Sequence, residues 1–242
     1  GCNFSCLFCT SASYYGKGWR ARTPENIIEE IKDVKNKHSI NTFLFLSDTF
    51  NGTKDFVKEL SSEIIEENLN IKWVSNSRVD LVDEEAVSLM KKSGCMLVSL
   101  GIESYDEDIL ERNKKDISIE DIDNGIRLFN KYGIKTYGYF IFGLEGENKK
   151  TLLKTTIKAV KSKLDFANFY SLTPYPGTYY FDKYKARDYK EYFHGVSNIV
   201  GYDNLSKFTI RFYRYIAFIV FYLRPRRSIL VLKYFLRRKV LC

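Results

Sequence analysis

Histidine is nearly absent from this 242-residue chain: His38 and His194 are the only two. That counts against a zinc site, which draws on paired Cys-x2-Cys knuckles or added histidines. Glycine and proline are also sparse, at 14 and 4 residues. With no low-complexity tract and no internal repeat, neither a disordered chain nor a repeat array is indicated. The apolar stretch Tyr215 to Leu223 has nine residues bounded by Arg214 and Arg224. A bilayer crossing needs about 20. The N-terminus lacks the basic-then-apolar pattern of a secretion signal. No initiator methionine precedes Gly1, and the sequence reads as a fragment or processed chain. Acidic residues are missing from Asn204 onward, where ten Lys and Arg fall. Setting those ten aside takes the formal charge of +8 to −2 over residues 1–203. The basic character belongs to the tail. A protein-wide nucleic-acid surface would spread it more widely.

What is present fits a globular domain, with 45% apolar and 28% charged residues. The chain is long enough for one large α/β domain or two small ones. Thr23 followed by Pro24, Ile27, Ile28, Ile31 and Val34 predicts a capped helix. Apolar runs of strand length fall at 42–46, 71–79, 96–102, 136–144 and 166–172. Helical spacing falls at 53–68, 83–93, 105–113, 118–132 and 148–163. Strands read as apolar on both faces, alternating with amphipathic helices, predict a parallel sheet covered by helices. A sixth strand is expected before Gly1. Beyond Tyr184 the pattern changes: residues 185–204 read as irregular, 205–223 as an aromatic segment broken by Pro225, and 226–240 as a second basic helix.

Three of the five cysteines fall within nine residues, Cys2, Cys6 and Cys9, spaced C-x3-C-x2-C. A secreted disulfide scaffold distributes its cysteines, so this crowding points to metal in a reducing compartment. Three thiolates on one loop can hold three irons of a cubane cluster. The fourth iron is then open, which separates a catalytic centre from a closed one. Cys95, opening a strand, reads as a buried small hydrophobe. Cys242 ends the chain. Neither is well placed to complete an electron-transfer cluster. On spacing alone a zinc site stays open.

The motif, with Phe8 just before its third cysteine, resembles that of the radical S-adenosylmethionine (SAM) superfamily. It is most similar to the group often carrying a cobalamin-binding N-terminal domain. The resemblance spans roughly residues 1–180 and implies a partial (β/α)6 TIM-like barrel, an α/β fold, with a first strand missing from this chain. Residues 1–182 would be the radical SAM core, and 183–242 a basic, aromatic-rich helical extension. It implies Cys2, Cys6 and Cys9 as ligands of a 4Fe–4S cluster, with SAM at the open iron. Reductive cleavage of SAM would give a 5′-deoxyadenosyl radical that abstracts hydrogen from a substrate inside the barrel. Methyl transfer would follow if cobalamin is supplied by an absent domain, since no cobalamin-binding motif occurs here. No catalytic residue is assigned beyond the cluster ligands.

The resemblance also implies contacts to SAM. Asp48, followed by Phe50, would meet its amino group, or else serve as a turn or cap. Arg78 would pair with its carboxylate, or else with Asp80 or Asp83. Gly101-Ile102-Glu103-Ser104 matches the family strongly; Glu103 would bind the ribose or ammonium, and Ser104, like Phe8 of the cysteine motif, would join the cofactor contacts. The alternative there is a helix cap at Ser104. Ile141 would pack on adenine or belong to the core, and Gly143 would let the backbone approach. Two departures are Glu145, where the family has Pro, and Asn148, where it has Thr. Glu145 would leave its loop less rigid and face substrate, whereas Asn148 can still cap a helix. Tyr137, Tyr139 and Tyr170 would line a cavity, while the turn Thr173-Pro174-Tyr175-Pro176-Gly177-Thr178 reads as a rigid exit from the sheet, with Tyr175 lining the cavity as the alternative.

Expected partners are a small-molecule or biosynthetic-intermediate substrate and a reductant such as flavodoxin or ferredoxin. Nucleic acid is not expected. The location implied is cytoplasmic, with peripheral membrane contact by the basic tail as one reading and packing of its helices on the barrel, or on an absent domain, as the other. Alternatives of other classes are an RNA methylthiotransferase-like enzyme and a non-catalytic Fe–S protein.

Overall fold

The computed structural model describes residues 1–184 and 205–238. In chain order these form α1 (Ser11–Tyr14), α2 (Pro24–His38), β1 (Thr42–Phe45), α3 (Lys54–Glu66), β2 (Lys72–Ser77) and α4 (Glu84–Lys92). There follow β3 (Cys95–Glu103), α5 (Glu107–Arg112), α6 (Ile119–Lys131), β4 (Lys135–Phe142), α7 (Lys149–Lys161) and β5 (Phe166–Ser171). The last are α8 (Tyr179–Tyr184), α9 (Lys207–Tyr222) and α10 (Pro225–Arg238). All five strands and the long helices fall where the hydrophobic pattern puts them. The short α1 and α8 are new. The four residues of α1 make barely one turn, too few for a 3.6-residue period to register, and the six of α8 follow the Pro174-Tyr-Pro-Gly turn with no apolar spacing of their own.

Helix starts follow local chemistry. Thr23, Thr53, Asp83, Asp106, Ser118, Asn148 and Ser206 each take extended backbone, and each side chain accepts an N–H from the first helical turn. Asn148 does so within a reciprocal capping box with Thr151. The residue capping α5 is Asp106 rather than Ser104. Pro225 opens α10 as its first residue, where its missing N–H costs nothing.

The sheet is parallel throughout, ordered β1-β2-β3-β4-β5, and does not close. The expected sixth strand has no counterpart among the described residues. β1 is an edge, and an apolar cleft of about 670 Å³ runs beside it past Ile31, Leu44 and Phe45.

The strands are not apolar on both faces. Burial alternates along β2, β4 and β5. Trp73, Phe140, Phe142, Ala167 and Phe169 go to the dry core shared with the helices. Asn76, Tyr137, Tyr139, Ile141 and Tyr170 stay partly open on the other face. That face lines the concave side of a partial barrel, so it carries polar and aromatic groups in place of aliphatic packing.

The opposite edge, β5, is covered by the tail. The Tyr222 hydroxyl accepts from the Ala167 N–H (3.1 Å) and donates to the Ala167 carbonyl (2.9 Å). One side chain thus satisfies backbone groups that an open edge would expose. Leu205, Ile210, Ala217 and Phe221 join the same core as the strands. Residues 185–204 and the end of the predicted second tail helix, together with His194 and Cys242, lie outside the described residues.

Arg227 fastens α10 to this assembly. Its buried guanidinium donates to the carbonyls of Ala159, Val160 and Ser162 at the end of α7, and to those of Leu164 and Phe221. It also lies 3.6 Å from the Phe221 ring centre. The last carbonyls of a helix lack partners and favour a cation. Burial, with Arg224 and Arg226 nearby, lowers its pKa to about 10, so it stays charged at neutral pH. Arg227→Ala should cost about 3 kcal/mol in chemical denaturation, because buried acceptors are left without donors. Arg226→Ala should cost under about 1 kcal/mol, because Arg226 is largely exposed and its partner Asp165 keeps Lys135.

Candidate active site at the C-terminal edge of the sheet

Apart from an isolated parallel bridge between Cys2 and Lys17, the loop Cys2–Cys9 has no regular secondary structure, so its shape comes largely from contacts outside it. The Leu7 N–H donates to the Asn113 carbonyl at 3.1 Å, and the Cys9 N–H turns back to Cys6 at 3.1 Å. The Ser11 N–H donates to the Cys9 sulfur at 3.4 Å. The Cys2 sulfur lies 3.2 Å from the Thr49 hydroxyl. Phe4 sits beneath the Arg78 guanidinium, 3.5 Å from centroid to carbon.

Asn113 is fully buried and ties three loops together. It ends α5, its carbonyl takes Leu7, and its side-chain amide donates to Ile109 (2.7 Å) and Glu145 (3.3 Å). Its side-chain oxygen accepts from Tyr180. The same hydroxyl accepts the Glu145 N–H at 2.7 Å. Glu145 itself pairs with Lys183 at 3.1 Å. The loop that carries Glu145 in place of proline is therefore pinned by α5 and α8, not left slack, and the Glu145 carboxylate is engaged by α8.

Cys2, Cys6, Cys9, Phe8, Asp48, Arg78 and Glu103 all line one cleft of about 230 Å³. It lies at the C-terminal ends of the strands, where parallel sheets present their ligand sites. An adjoining cleft of about 370 Å³ shares Phe8, Asn76, Glu103 and Tyr139, and adds Ile141, Tyr170 and Tyr175. Ser104 and Gly143 line neither. The Ser104 hydroxyl is buried 3.1 Å from that of Thr155 on α7 and accepts the Asp106 N–H. Gly143, at φ +100°, shapes the β4–α7 loop.

The local geometry at each position has a physical cause. The Asp48 carboxylate accepts from the Ser11 hydroxyl at 2.7 Å. Arg78 makes two 3.0 Å bonds to Asp80 and a third to the Lys115 carbonyl, so most of its fork is taken. Its backbone is held by Asn51, whose side chain accepts the Arg78 N–H and donates to the Arg78 carbonyl, both at 2.8 Å. Glu103 ends β3 at a register shift, in left-handed backbone at φ +67°. Its carboxylate meets the Lys115 ammonium at 3.1 Å, both buried. Gly101 makes room for that pair, since a Cβ there would stand 2.5 Å from the Glu103 oxygen. Lys115, Asn113, Asn51 and Ser11 are absent from the sequence-based set. An Asn just past a helix end is a stop signal that marks Asn113. Lys115, in Lys114-Lys115-Asp116, reads as solvated charge and gives no signal.

The donor set fits an iron–sulfur cluster. The four cysteines among the described residues are all free. No three His, Cys, Asp or Glu side chains among those residues converge on a single-ion site. A cubane asks for something different, one sulfur on each of three irons. Burial pushes the Cys6 thiol up to about 11, against the pull of Lys115 and Arg78. Burial also raises Cys9, opposed by the Ser11 N–H. Thiols desolvated in this way ionise when a metal supplies the counter-charge. Cys95 is buried on β3 and its thiol is raised further by desolvation, as expected of a packing residue.

The sequence profile of the Radical SAM superfamily matches residues 1–157. An uncharacterised methyltransferase of Pyrococcus horikoshii is 36% identical over 74% of this chain and 39% of its own length. The bacteriochlorophyllide d C-12(1)-methyltransferase of Chlorobaculum tepidum is 30% identical over 77% of this chain and 41% of its own. The chain thus spans about two fifths of these relatives. The radical S-adenosylmethionine methyltransferase TsrM of Kitasatospora setae, solved with cobalamin and a [4Fe-4S] cluster bound, superposes with a TM-score of 0.68 at 21% identity. That match covers 74% of this chain and 37% of TsrM, and shows a shared fold.

Two outcomes test this geometry. Lys115→Met strands a buried carboxylate and should cost about 3 kcal/mol in chemical denaturation. Adding Glu103→Gln should recover much of that loss. The second concerns Glu147, whose Oε2 accepts the Gly143 (2.5 Å) and Leu144 (3.1 Å) N–H groups while Oε1 has no partner among the described residues. Burial raises its carboxyl from 4.5 to about 8. Between those values the folded state holds a proton that the unfolded state has lost. The group's contribution to stability is complete below pH 4.5 and is lost as the pH rises to about 8. Thermal unfolding from pH 5 to 8 should therefore fall more steeply for the wild type than for Glu147→Gln.

Proposed function

The chain belongs to the Radical SAM superfamily, and on that premise we propose that Cys2, Cys6 and Cys9 hold a 4Fe–4S cluster whose fourth iron takes SAM. When bound and reduced, that pair supplies a 5′-deoxyadenosyl radical for hydrogen abstraction. The observation that carries the reading is the meeting of three free thiols with Asp48 and Glu103 in one cleft at the C-terminal sheet edge.

The chain's own residues do the orienting. Asp48, steadied by Ser11, is an acceptor suited to the SAM ammonium. Glu103, fixed by Lys115 and by its left-handed backbone, offers a carboxylate edge to ammonium or ribose hydroxyls. Arg78, already bonded to Asp80, supplies positive charge beside Cys6 and a flat lid over Phe4, with little of its fork left for the SAM carboxylate. Ile141 and Phe8 give apolar surface for adenine, and Gly143 sets the backbone that follows. Tyr139, Tyr170 and Tyr175 wall the adjoining cleft, which suits a substrate with a flat unsaturated portion. Closing apolar groups around this cleft limits the water that would quench reactive species.

For the whole protein we propose radical methyl transfer to a small-molecule or biosynthetic-intermediate carbon, with cobalamin held by a further domain. The names of the relatives support this. The reductant proposed is a one-electron carrier such as flavodoxin or ferredoxin, and the compartment the cytoplasm. Anaerobic reconstitution of the chain with iron and sulfide should give about four irons per chain. With dithionite and SAM it should yield 5′-deoxyadenosine, and Cys6→Ala should lose both. Binding of zinc with no iron uptake would overturn the reading.

A further inference from the structure

Helix α9 is apolar on two opposite sides. Ile210, Arg214, Ala217 and Phe221 form the stripe that packs on the sheet and α7. Phe208, Phe212, Tyr215, Ile219 and Leu223 repeat with the same helical spacing on the other side, where they are exposed among the described residues. Phe208 is 77% exposed and Leu223 70%. A helix hydrophobic all round belongs in a core or in lipid, yet only one side of α9 is in a core. On α10, Ile229 and Leu232 are exposed as well. The neighbouring α7 adds Leu153 and Ile157, also exposed.

The charge around this surface is mostly basic, although Lys154 of α7 is paired with Asp106 and Arg226 of α10 with Asp165. No acidic residue follows Asn204, and α7 carries five lysines and no Asp or Glu. A second copy of the chain meeting this face would bring like charges together. A nucleic acid would match the charge but offer nothing to Ile219 or Leu223. A membrane interface with anionic lipid offers acyl chains to the apolar ridge and negative headgroups to its basic rim. No helix among the described residues is long and apolar enough to cross a membrane. At 16 residues, α9 spans about 24 Å along its axis and suits lying in the interface plane.

We propose that the exposed side of α9, extended by α7 and α10, docks the protein onto the surface of a membrane containing anionic lipid. The phenylalanines and isoleucines enter the acyl boundary, and the Lys and Arg residues stay at headgroup level. Docking of this kind keeps the domain beside substrates or partners that reside in the bilayer. It does not depend on the cluster.

Flotation of the 242-residue chain with vesicles tests this. Vesicles of phosphatidylcholine with about one-third phosphatidylglycerol should retain at least roughly tenfold more protein than phosphatidylcholine alone. Phe212→Ser with Ile219→Ser should abolish retention and leave the circular dichroism unchanged, because both side chains are exposed. Phe208→Trp in the otherwise unaltered chain gives a second readout, a blue shift of emission with anionic vesicles only, quenched by brominated acyl chains. Retention lost entirely in high salt and indifferent to the Phe212/Ile219 pair would mean charge attraction alone, and would overturn the proposal. So would absence of flotation together with a dimer in solution that the same pair dissolves, or tighter capture by single-stranded RNA than by vesicles.

Discussion

A loop of nine residues carrying three cysteines has no stability of its own, and the site depends on what grips that loop from outside. Part of the grip is a hydrogen-bond junction at the end of α5, beside the contacts of Cys2 with Thr49 and of Phe4 with Arg78. Asn113 takes the Leu7 N–H with its carbonyl, the Glu145 carbonyl with its amide and the Tyr180 hydroxyl with its side-chain oxygen. Buried polar groups must be paired or they cost free energy, so each partner fixes the others. The cysteine loop, the β4–α7 loop and α8 are thereby locked into one arrangement at the strand ends.

The second constraint is electrostatic. Glu103 and Lys115 are both buried, and neither is tolerated without the other. The pair needs Gly101 for clearance and left-handed backbone at Glu103, a conformation that a residue with a Cβ adopts only when its surroundings over-determine it. It places a fixed carboxylate and a nearby ammonium beside the cysteine loop, where desolvation disfavours ionisation of Cys6 and Cys9. A cluster brings the missing counter-charge. In chemical terms the cleft is built for a charged guest.

The fold was largely legible before any coordinates. Strands and long helices are dictated by apolar period, and helix starts by residues such as Thr23 and Asn148, whose side chains cap the first turn. The C-x3-C-x2-C spacing and the Gly-Ile-Glu-Ser match named Cys2, Cys6, Cys9 and Glu103, and the fold brings these into one cleft. Legibility failed where partners are distant in sequence. Arg78 reads either as a partner of a ligand carboxylate or of Asp80; the fold takes the second and adds the distant Lys115 carbonyl, which no local pattern names. Ser104 looked like a cap or a contact, yet it is turned toward α7. The strands looked apolar on both faces, because tyrosine serves equally well in a core and on a half-open cavity wall.

By itself the sequence determined the element order, the caps, the parallel α/β class and the cluster-type cysteine motif, because each rests on neighbours within a few residues. Only tertiary structure decided which charged groups are spent on each other, that Asn113, Asn51 and Lys115 position the site, and that one side of α9 is buried while its opposite side is not. Those outcomes depend on which loops meet at the sheet edge and which face of a helix finds a partner. No local pattern carries that information, since a buried Lys115 and a solvated one are spelled the same way.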